Sequence, residues 1–508
     1  LLNLKRYIGV FMLCFVASSI AAQNNILELL PGSEQLGYDK RTGAHRLTGT
    51  VNFVYQGNTM YCDSAHYFDK TMEVRAYSKV HITKGVVNLF CDSLYYNGKT
   101  KYAKLWGHVR VRDDEYKIIT DSLEYDTKKS LGIYRNGAKI ESITSNETLS
   151  SKVGYFYPDS KDFFFSGKVK YRKDSLNMTT DTLRFNYAKQ ITYFYGPTKI
   201  NHGKTQMWCK KGWYDVQLQD GSLIGDAKII EKSKIIKADT LLYEPSLGRN
   251  IGKGHVDFKD TLEKTQFYGD YALSSDKEHS SFLTGHVLAI KVQKKDTMFI
   301  HADTLFNQND TLDKPIYTRG SRNVKFYNRN VQAVCDSLMY LQPDGMLEMY
   351  KDPIVWSDNS ELKGDSMLVF LNDTVVERIE VMENATALME IDSGAYYNQM
   401  AGRKVTAYFR DNDLYQTDVS GNAHTIFYPE KEEETDSVQL IKRLGMNRLY
   451  AGNLRVMLDS GEVKGITYYD KPEGVFYPMD KINKAEQFLP NFEWKAALRP
   501  KDGMGILH

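Results

Sequence analysis

Two short patterns of apolar and polar positions recur along most of this chain. The first runs small, Asp, Ser/Thr, apolar, any, aromatic. It is spelled Cys62-Asp63-Ser64-Ala65-His66-Tyr67, Cys91-Asp92-Ser93-Leu94-Tyr95-Tyr96 and Thr120-Asp121-Ser122-Leu123-Glu124-Tyr125. Later copies begin Thr180-Asp181, Ala238-Asp239, Ala302-Asp303 and Cys335-Asp336. From Asp63 to Asp92 to Asp121 the step is 29 residues each time. The second pattern, midway between the first, is Gly-x-apolar-x-apolar, as in Gly49-Thr-Val51, Gly107-His-Val109, Gly167-Lys-Val169 and Gly254-His-Val256, with Ser78 and Asn136 replacing glycine in two copies. A fixed period of this size means a repeat architecture. A turn residue followed by period-two alternation predicts a corner leading into a half-buried strand. Each repeat therefore supplies at least two strands, which cannot bury a face alone and must stack on their neighbours. The fold class is all-β, an elongated repeat array of stacked short strands.

Stacking in register would line up Val51, Val80, Val109, Val169, Val256 and Val287 on one wall and Leu94, Leu123, Leu183, Leu241, Leu305 and Leu338 on the other. Periodicity alone is compatible with a closed core or with an open apolar groove between these walls. Parity along the Asp motif leaves one puzzle: Asp121 falls with the apolar set unless a bulge or corner intervenes.

Composition narrows the function classes. Lys+Arg is 66 against Asp+Glu 64, which excludes the strong basic excess of a nucleic-acid binder. Tyr at 35 and Pro at 12 suit strands better than disorder. Residues 1–22 read as a secretory signal: Lys5-Arg6, an apolar run from Tyr7 to Ile20, then Ala21-Ala22. That run is shorter than the ~20 residues a membrane span needs. The division expected from sequence is 1–22 signal peptide, 23–430 repeats, and 431–508 a charged loop, final strands and a cap or partner-binding tail. Ser437 to Arg443 reads as a short helical turn.

Candidate chemistry is sparse. The x positions of the Gly-x-apolar-x strand hold many cations, among them Lys79, His81, His108, Arg110, Lys139, Lys168, Lys170, Lys199 and Lys228. A solvated sheet face accounts for them; the sharper alternative is that Lys168, Lys170, Lys199 and Lys228 attract an anionic head group. Cys62, Cys91, Cys209 and Cys335 all precede the Asp slot, where other copies hold Thr120, Ala238 or Gly364. They read as small packing residues, with Cys62 and Cys91 alone near enough in sequence register to bridge. No metal-ligand spacing is present. Asn97-Gly98-Lys99-Thr100 is similar to the end of a P-loop but lacks its first glycine. An Asp that recurs in every repeat points to a structural ladder, since an active site uses two or three carboxylates once. No catalytic residue, metal or cofactor is expected, and the chain reads as a non-enzyme.

These features resemble the OstA-like, or LptA-like, lipopolysaccharide-transport proteins. The resemblance rests on the signal-like N-terminus, the small-Asp-Ser/Thr-Leu-x-Tyr element and the Gly-x-Val-x-Ile corners. It runs from about residue 30 to the end, where Lys471-Pro-Glu-Gly-Val-Phe-Tyr-Pro478 and Leu489-Pro-Asn-Phe-Glu-Trp494 look like the ending of long Bacteroidetes-type members. It implies a twisted β-jellyroll with an apolar interior groove that shields lipid A acyl chains across the periplasm. It also implies edge-strand pairing with inner-membrane LptC-like and outer-membrane LptD-like proteins, and head-to-tail self-association. Two alternatives remain at this stage: an exported carbohydrate-binding or carbohydrate-active β-solenoid, and an outer-membrane β-barrel.

Overall fold

A strand that alternates apolar and polar side chains buries one face only if its neighbours do the same in register. The computed structural model describes residues 28–507 apart from 56, 158–159, 161, 187–188, 294–295, 373–374, 411–412, 436–437, 460–461 and 491; the expected signal segment lies outside the described residues. Among the described residues there is no α-helix, only β-strands and short 3-10 turns. Contacts divide them into two compact units. The first runs to Lys232 and takes in Lys237–Leu247; the second takes Ser233–Ile236 and the chain from Gly248 onward.

In the first unit, strands Ala44–Tyr55, Asn58–Phe68, Glu73–Lys84, Val87–Asn97, Tyr102–Arg112 and Tyr116–Asp126 each pair antiparallel with the next. The series continues through shorter pieces to Asp162–Lys173, Leu176–Asn186, Ile191–His202, Thr205–Asp215 and Gly221–Glu231. The second unit repeats this arrangement from Arg249–Asp260 to Gly445–Asp459. One 29-residue repeat is thus a pair of strands, each of 11 or 12 residues in Glu73–Lys84 and Val87–Asn97, and each is bent into two halves. This is the all-β array of stacked strands that the alternation predicts, in the β-jellyroll plan that the resemblance implies.

The bend sits at the glycine signature. Trp106 faces Ser122 and Val109 faces Thr120, so Gly107 and His108 together oppose Asp121 alone. Both bulged residues are left-handed, with φ of +75° and +47°. The same two-residue step recurs at Ser78-Lys79, Gly167-Lys168, Gly225-Asp226, Gly285-His286 and Arg322-Asn323. Two successive left-handed residues swing the strand from one wall to the other, and a bulge of this kind increases local bend and twist. The corner also answers the parity puzzle. In Tyr116–Asp126, Ile118 and Thr120 are buried before it, Leu123 and Tyr125 after it, and Asp121 is exposed between them. At Asn136 the expected register slips by one, for it is Gly137 that takes positive φ.

Glycine is needed at Gly107 for a second reason. A Cβ there would meet the Asp92 carboxylate at 2.4 Å and its Cβ at 2.7 Å. Gly203, a turn glycine with φ +56°, has nothing within 4 Å of such a Cβ. Gly107→Val should therefore cost about 2–3 kcal/mol or more, and Gly203→Ala only about 1 kcal/mol. Urea unfolding of the two variants measures the difference; equal costs would remove the close approach from the explanation.

The recurring Asp reaches the exposed corner of the next strand. Asp63 accepts from Ser78 Oγ at 2.6 Å and pairs with Lys79 at 3.4 Å. Asp92 meets His108 at 2.7 Å, and Asp270 meets His286 at 2.8 Å. At Lys210 and Asp226 the two charges have changed places and still pair, at 2.7 Å. The ladder is structural. The side chains of Asn97, Asp126 and Asp215 close tight turns by accepting from backbone N–H groups two and three residues on. The P-loop-like Asn97-Gly98-Lys99-Thr100 is one of these turns.

The C-terminal region differs from expectation. Residues 430–443, read as a charged loop and a helical turn, form a hairpin of Glu430–Thr435 and Val438–Arg443. A short run such as Val438-Gln-Leu-Ile fits either period, and pairing decides it. Arg443 ties the hairpin base to Asp392 with two bonds of 3.0 and 3.1 Å. Residues 482–507 then run back as a strap across the outer face of the second unit's sheet. Their contacts step from Arg448 to Gln399, Glu361 and Gln332.

Candidate functional site

The site is built from the two signatures as cross-strand partners. The valine after each corner sits directly opposite the small residue before an Asp: Val51 with Cys62, Val80 with Cys91, Val109 with Thr120, Val169 with Thr180, Val287 with Ala302. Valines from both neighbouring strands press on the slot, so it must stay small. At Gly402 even a Cβ would meet Val419 Cγ1 at 2.5 Å. The four cysteines of this slot are buried and unpaired. The bridge considered between Cys62 and Cys91 is ruled out in this register. Strand Glu73–Lys84 lies between them, so they stand roughly 10 Å apart, beyond disulfide reach. Burial pushes the Cys62 thiol up to about 11 and those of Cys91, Cys209 and Cys335 to about 12, which leaves none of them reactive near neutrality.

On the other wall Leu47, Ala65, Ala76, Leu94, Leu105 and Leu123 pair in one row, as do Phe165, Leu183 and Phe194 further on. Ten of the twelve seam candidates are buried: Val51, Val80, Leu94, Val109, Leu123, Val169, Leu183, Leu241, Val256 and Val287. Leu305 and Leu338 are half-buried against the second unit's core, which includes Ala302, Val324 and Cys335. Sequence reasoning missed Leu47, Leu105, Phe165, Phe194 and Leu223, all buried. Their signal was an apolar residue two places before each corner glycine. In the first unit the walls face each other across a cavity of about 80 Å³ lined by Ile118, Leu149 and Tyr171 from one side and Phe156, Phe165 and Leu183 from the other.

The cations fall into two sets. Lys79, His108 and Lys168 stand at left-handed corner positions. His81, Arg110, Lys139, Lys170, Lys199 and Lys228 share one outer row of the first unit, with Tyr61, Phe90, Ile119, Ser150, Thr179 and Trp208 between or beside them. A cation on every second strand places them ~10 Å apart. Lys199 and Lys228 both reach over the Trp208 ring, at 5.4 and 5.2 Å. Of the four expected head-group lysines, Lys170, Lys199 and Lys228 are thus brought together, while Lys168 is set apart at its corner. Among the described residues no cluster of His, Cys, Asp or Glu is placed to hold a metal ion.

Residues 29–181 match the family model described as OstA-like protein. This segment is similar to OstA-like proteins. The pairing of a corner valine with a small slot residue recurs beyond residue 181, as in Val324 opposite Cys335 in the second unit. Among solved structures the chain is similar to LptH from Pseudomonas aeruginosa, titled the LptA homologous periplasmic component of the conserved lipopolysaccharide transport device. Identity is 12%, over 28% of this chain and 80% of that one, with a TM-score of 0.15. No curated protein matches the chain significantly.

Proposed function

We propose that this chain is a periplasmic component of lipopolysaccharide transport that shields lipid A acyl chains between its two walls. The observation that carries this is the apolar seam inside the sheet of each unit, with a row of cations on the outer face of the first. The OstA-like match supports the family, and LptH belongs by title to such a device. Burying alkyl chain gains ~0.8 kcal/mol per CH₂, so a twelve-carbon chain gains on the order of 10 kcal/mol that free transfer through water would forfeit. A seam running from rung to rung keeps chains buried while the sugar head stays wet, and needs no catalyst. The cavity of about 80 Å³ is smaller than the roughly 150 Å³ that admits benzene. An acyl chain would therefore enter by parting the walls where the apolar Ile118 and Leu149 face Phe156 and Phe165.

Lys170, Lys199 and Lys228 would then meet anionic head groups from the outer row. Among the described residues, Ser33–Asp39 and Glu473–Pro478 each pair with one strand, which leaves an edge for partners. Ser33–Asp39 pairs with Ala44–Tyr55, and its Leu36 and Tyr38 are exposed; Glu473–Pro478 at the last strands exposes Val475 and Phe476. Strand addition there is how LptC-like and LptD-like partners, or a second copy, would dock. A membrane barrel would carry its apolar face outward, the reverse of this arrangement. The test is photocrosslinking in exporting cells from Leu123, Val169 and Leu241. Lipid A adducts are expected; a folded, exported protein that yields none, or yields glycan without lipid, overturns the proposal.

A further inference from the structure

We propose that a concavity on the outer face of the first unit binds an acidic sugar, a saccharide bearing phosphate or carboxylate. The proposal does not rest on the apolar seam: the side chains it uses belong to the outer row and the corners, although the buried Val80 and Cys91 of the seam also border the concavity. Its volume is about 730 Å³, inside the ~300–1,000 Å³ typical of small-molecule sites. The floor is the start of the cationic row: Tyr61, His81, Phe90 and Arg110, on four successive paired strands. The rim is two corners, Ser78-Lys79 and His108, with Asp92 between them.

The residues are fixed by one another, as a binding surface requires. His81 stacks on Phe90 with ring centres 4.3 Å apart and planes 9° from parallel. The Arg110 guanidinium lies 5.8 Å from the Phe90 ring centre on the neighbouring strand. His81 Nε2 is held by Asn88 at 3.0 Å and Thr83 at 3.2 Å. The corners supply charge already half-compensated, Lys79 by Asp63 and His108 by Asp92. Arg110 differs: among the described residues it has no carboxylate partner, its contact being the ring. Phe90, a large apolar side chain, is left 36% exposed at the bottom of the hollow.

Each part selects a feature of the ligand. The accessible parts of the Phe90, His81 and Tyr61 rings offer apolar surface against which the C–H groups of a sugar ring can pack. The Asp92 carboxylate, with lone pairs beyond the one His108 uses, accepts from hydroxyls. Arg110 and Lys79 lack acceptors altogether and match an acidic group, Arg110 by a two-pronged contact. A purely apolar ligand would strand these charges, and a bare anion would leave the rings unused.

Calorimetric titration of the full chain at low salt, with glucose 1-phosphate, glucuronate, glucose and inorganic phosphate, tests the assignment. Both acidic sugars should bind saturably and displace one another, with glucose and inorganic phosphate each about tenfold weaker or worse. Arg110→Gln should weaken glucose 1-phosphate about tenfold while leaving glucose as it was, the loss of one charge-assisted contact. Phe90→Leu should weaken glucose and glucose 1-phosphate alike. Both side chains are exposed, so melting temperatures should stay at the parent value; Lys79→Gln gives a second charge variant if Arg110→Gln melts early. Inorganic phosphate binding as tightly as glucose 1-phosphate, no saturable sugar binding, or charge variants that bind as the parent does would each overturn the proposal. Lipid adducts at Leu123 neither require nor follow from this binding, so the two proposals fail separately.

Discussion

Leu183→Ala should cost about 3–5 kcal/mol, near the top of the range for a buried leucine, and should open the interior to small apolar molecules. Leu183 is fully buried. It faces Phe165 on one strand and Phe194 on the other, two rings held by their own backbones and slow to collapse into a vacated space. The cost of such a truncation grows by roughly 24 cal/mol per Å³ of cavity left behind. Here the new space would join the existing cavity of about 80 Å³ that Leu183 already lines. Leu94→Ala provides the comparison, since Leu94 pairs with Ala76 and Leu105 away from that cavity, and its cost should fall nearer 2–3 kcal/mol. Urea unfolding of the two variants gives the difference. Xenon or benzene, as a probe of the static cavity, should occupy Leu183→Ala more fully than the parent. Equal losses, with no gain in probe uptake, would mean the walls relax freely and that the seam is softer than its register suggests.

That contrast bears on what could be read in the sequence. The valine and leucine rows were legible because the same spacing repeats wherever a strand crosses the interior, and side chains of period two cannot change face without a bulge. The corner residues were visible as glycine or serine, but their consequence was not. The two left-handed residues opposite it on the neighbouring strand, Gly107 and His108, explain why Asp121 is exposed while Thr120 and Leu123 are buried. Leu105 and Phe194 lie outside the Gly-x-apolar-x-apolar signature, two places before the glycine, on the far side of the bend from its valine. The cationic row was half legible. Lys170, Lys199 and Lys228 share a row because they stand equally far past their corners, whereas Lys168 occupies the bulge and leaves the row. The aromatic half, Tyr61, Phe90 and Trp208, required the pairing register, since those residues lie on the intervening strands.

The strap was not legible, because its partners carry no period, and its removal should have the largest effect in the second unit. Deleting residues 482–508 uncovers a row of outer-face side chains joined strand to strand: Gln332, Trp356, Glu361, Leu388, Gln399 and Ile426. In the first unit the comparable row reads Asn88, Arg112, Lys117 and tolerates water as it stands. In the second, Trp356 and Ile426 are fully buried and Leu388 nearly so. Glu361, also buried, accepts from Trp356 Nε1 at 2.9 Å and from the strap's Lys495 N at 2.8 Å. The strap adds Leu489 and Ile506, each buried and each worth about 1.5–3 kcal/mol of apolar transfer. Arg499 adds a 2.6 Å bond to Gln332. Summed loosely, deletion should destabilise the second unit by about 5 kcal/mol or more. The exposed strip of tryptophan, leucine and isoleucine should also bind a hydrophobic dye and promote association. Leu489→Ala alone should cost about 2–4 kcal/mol without exposing Trp356, so it separates lost anchoring from lost cover. If the truncated chain melts with the parent and stays dye-negative, the strap only rests on the sheet. If it melts early and turns dye-positive while Leu489→Ala does not bind dye, the strap is the missing layer of the second unit's core.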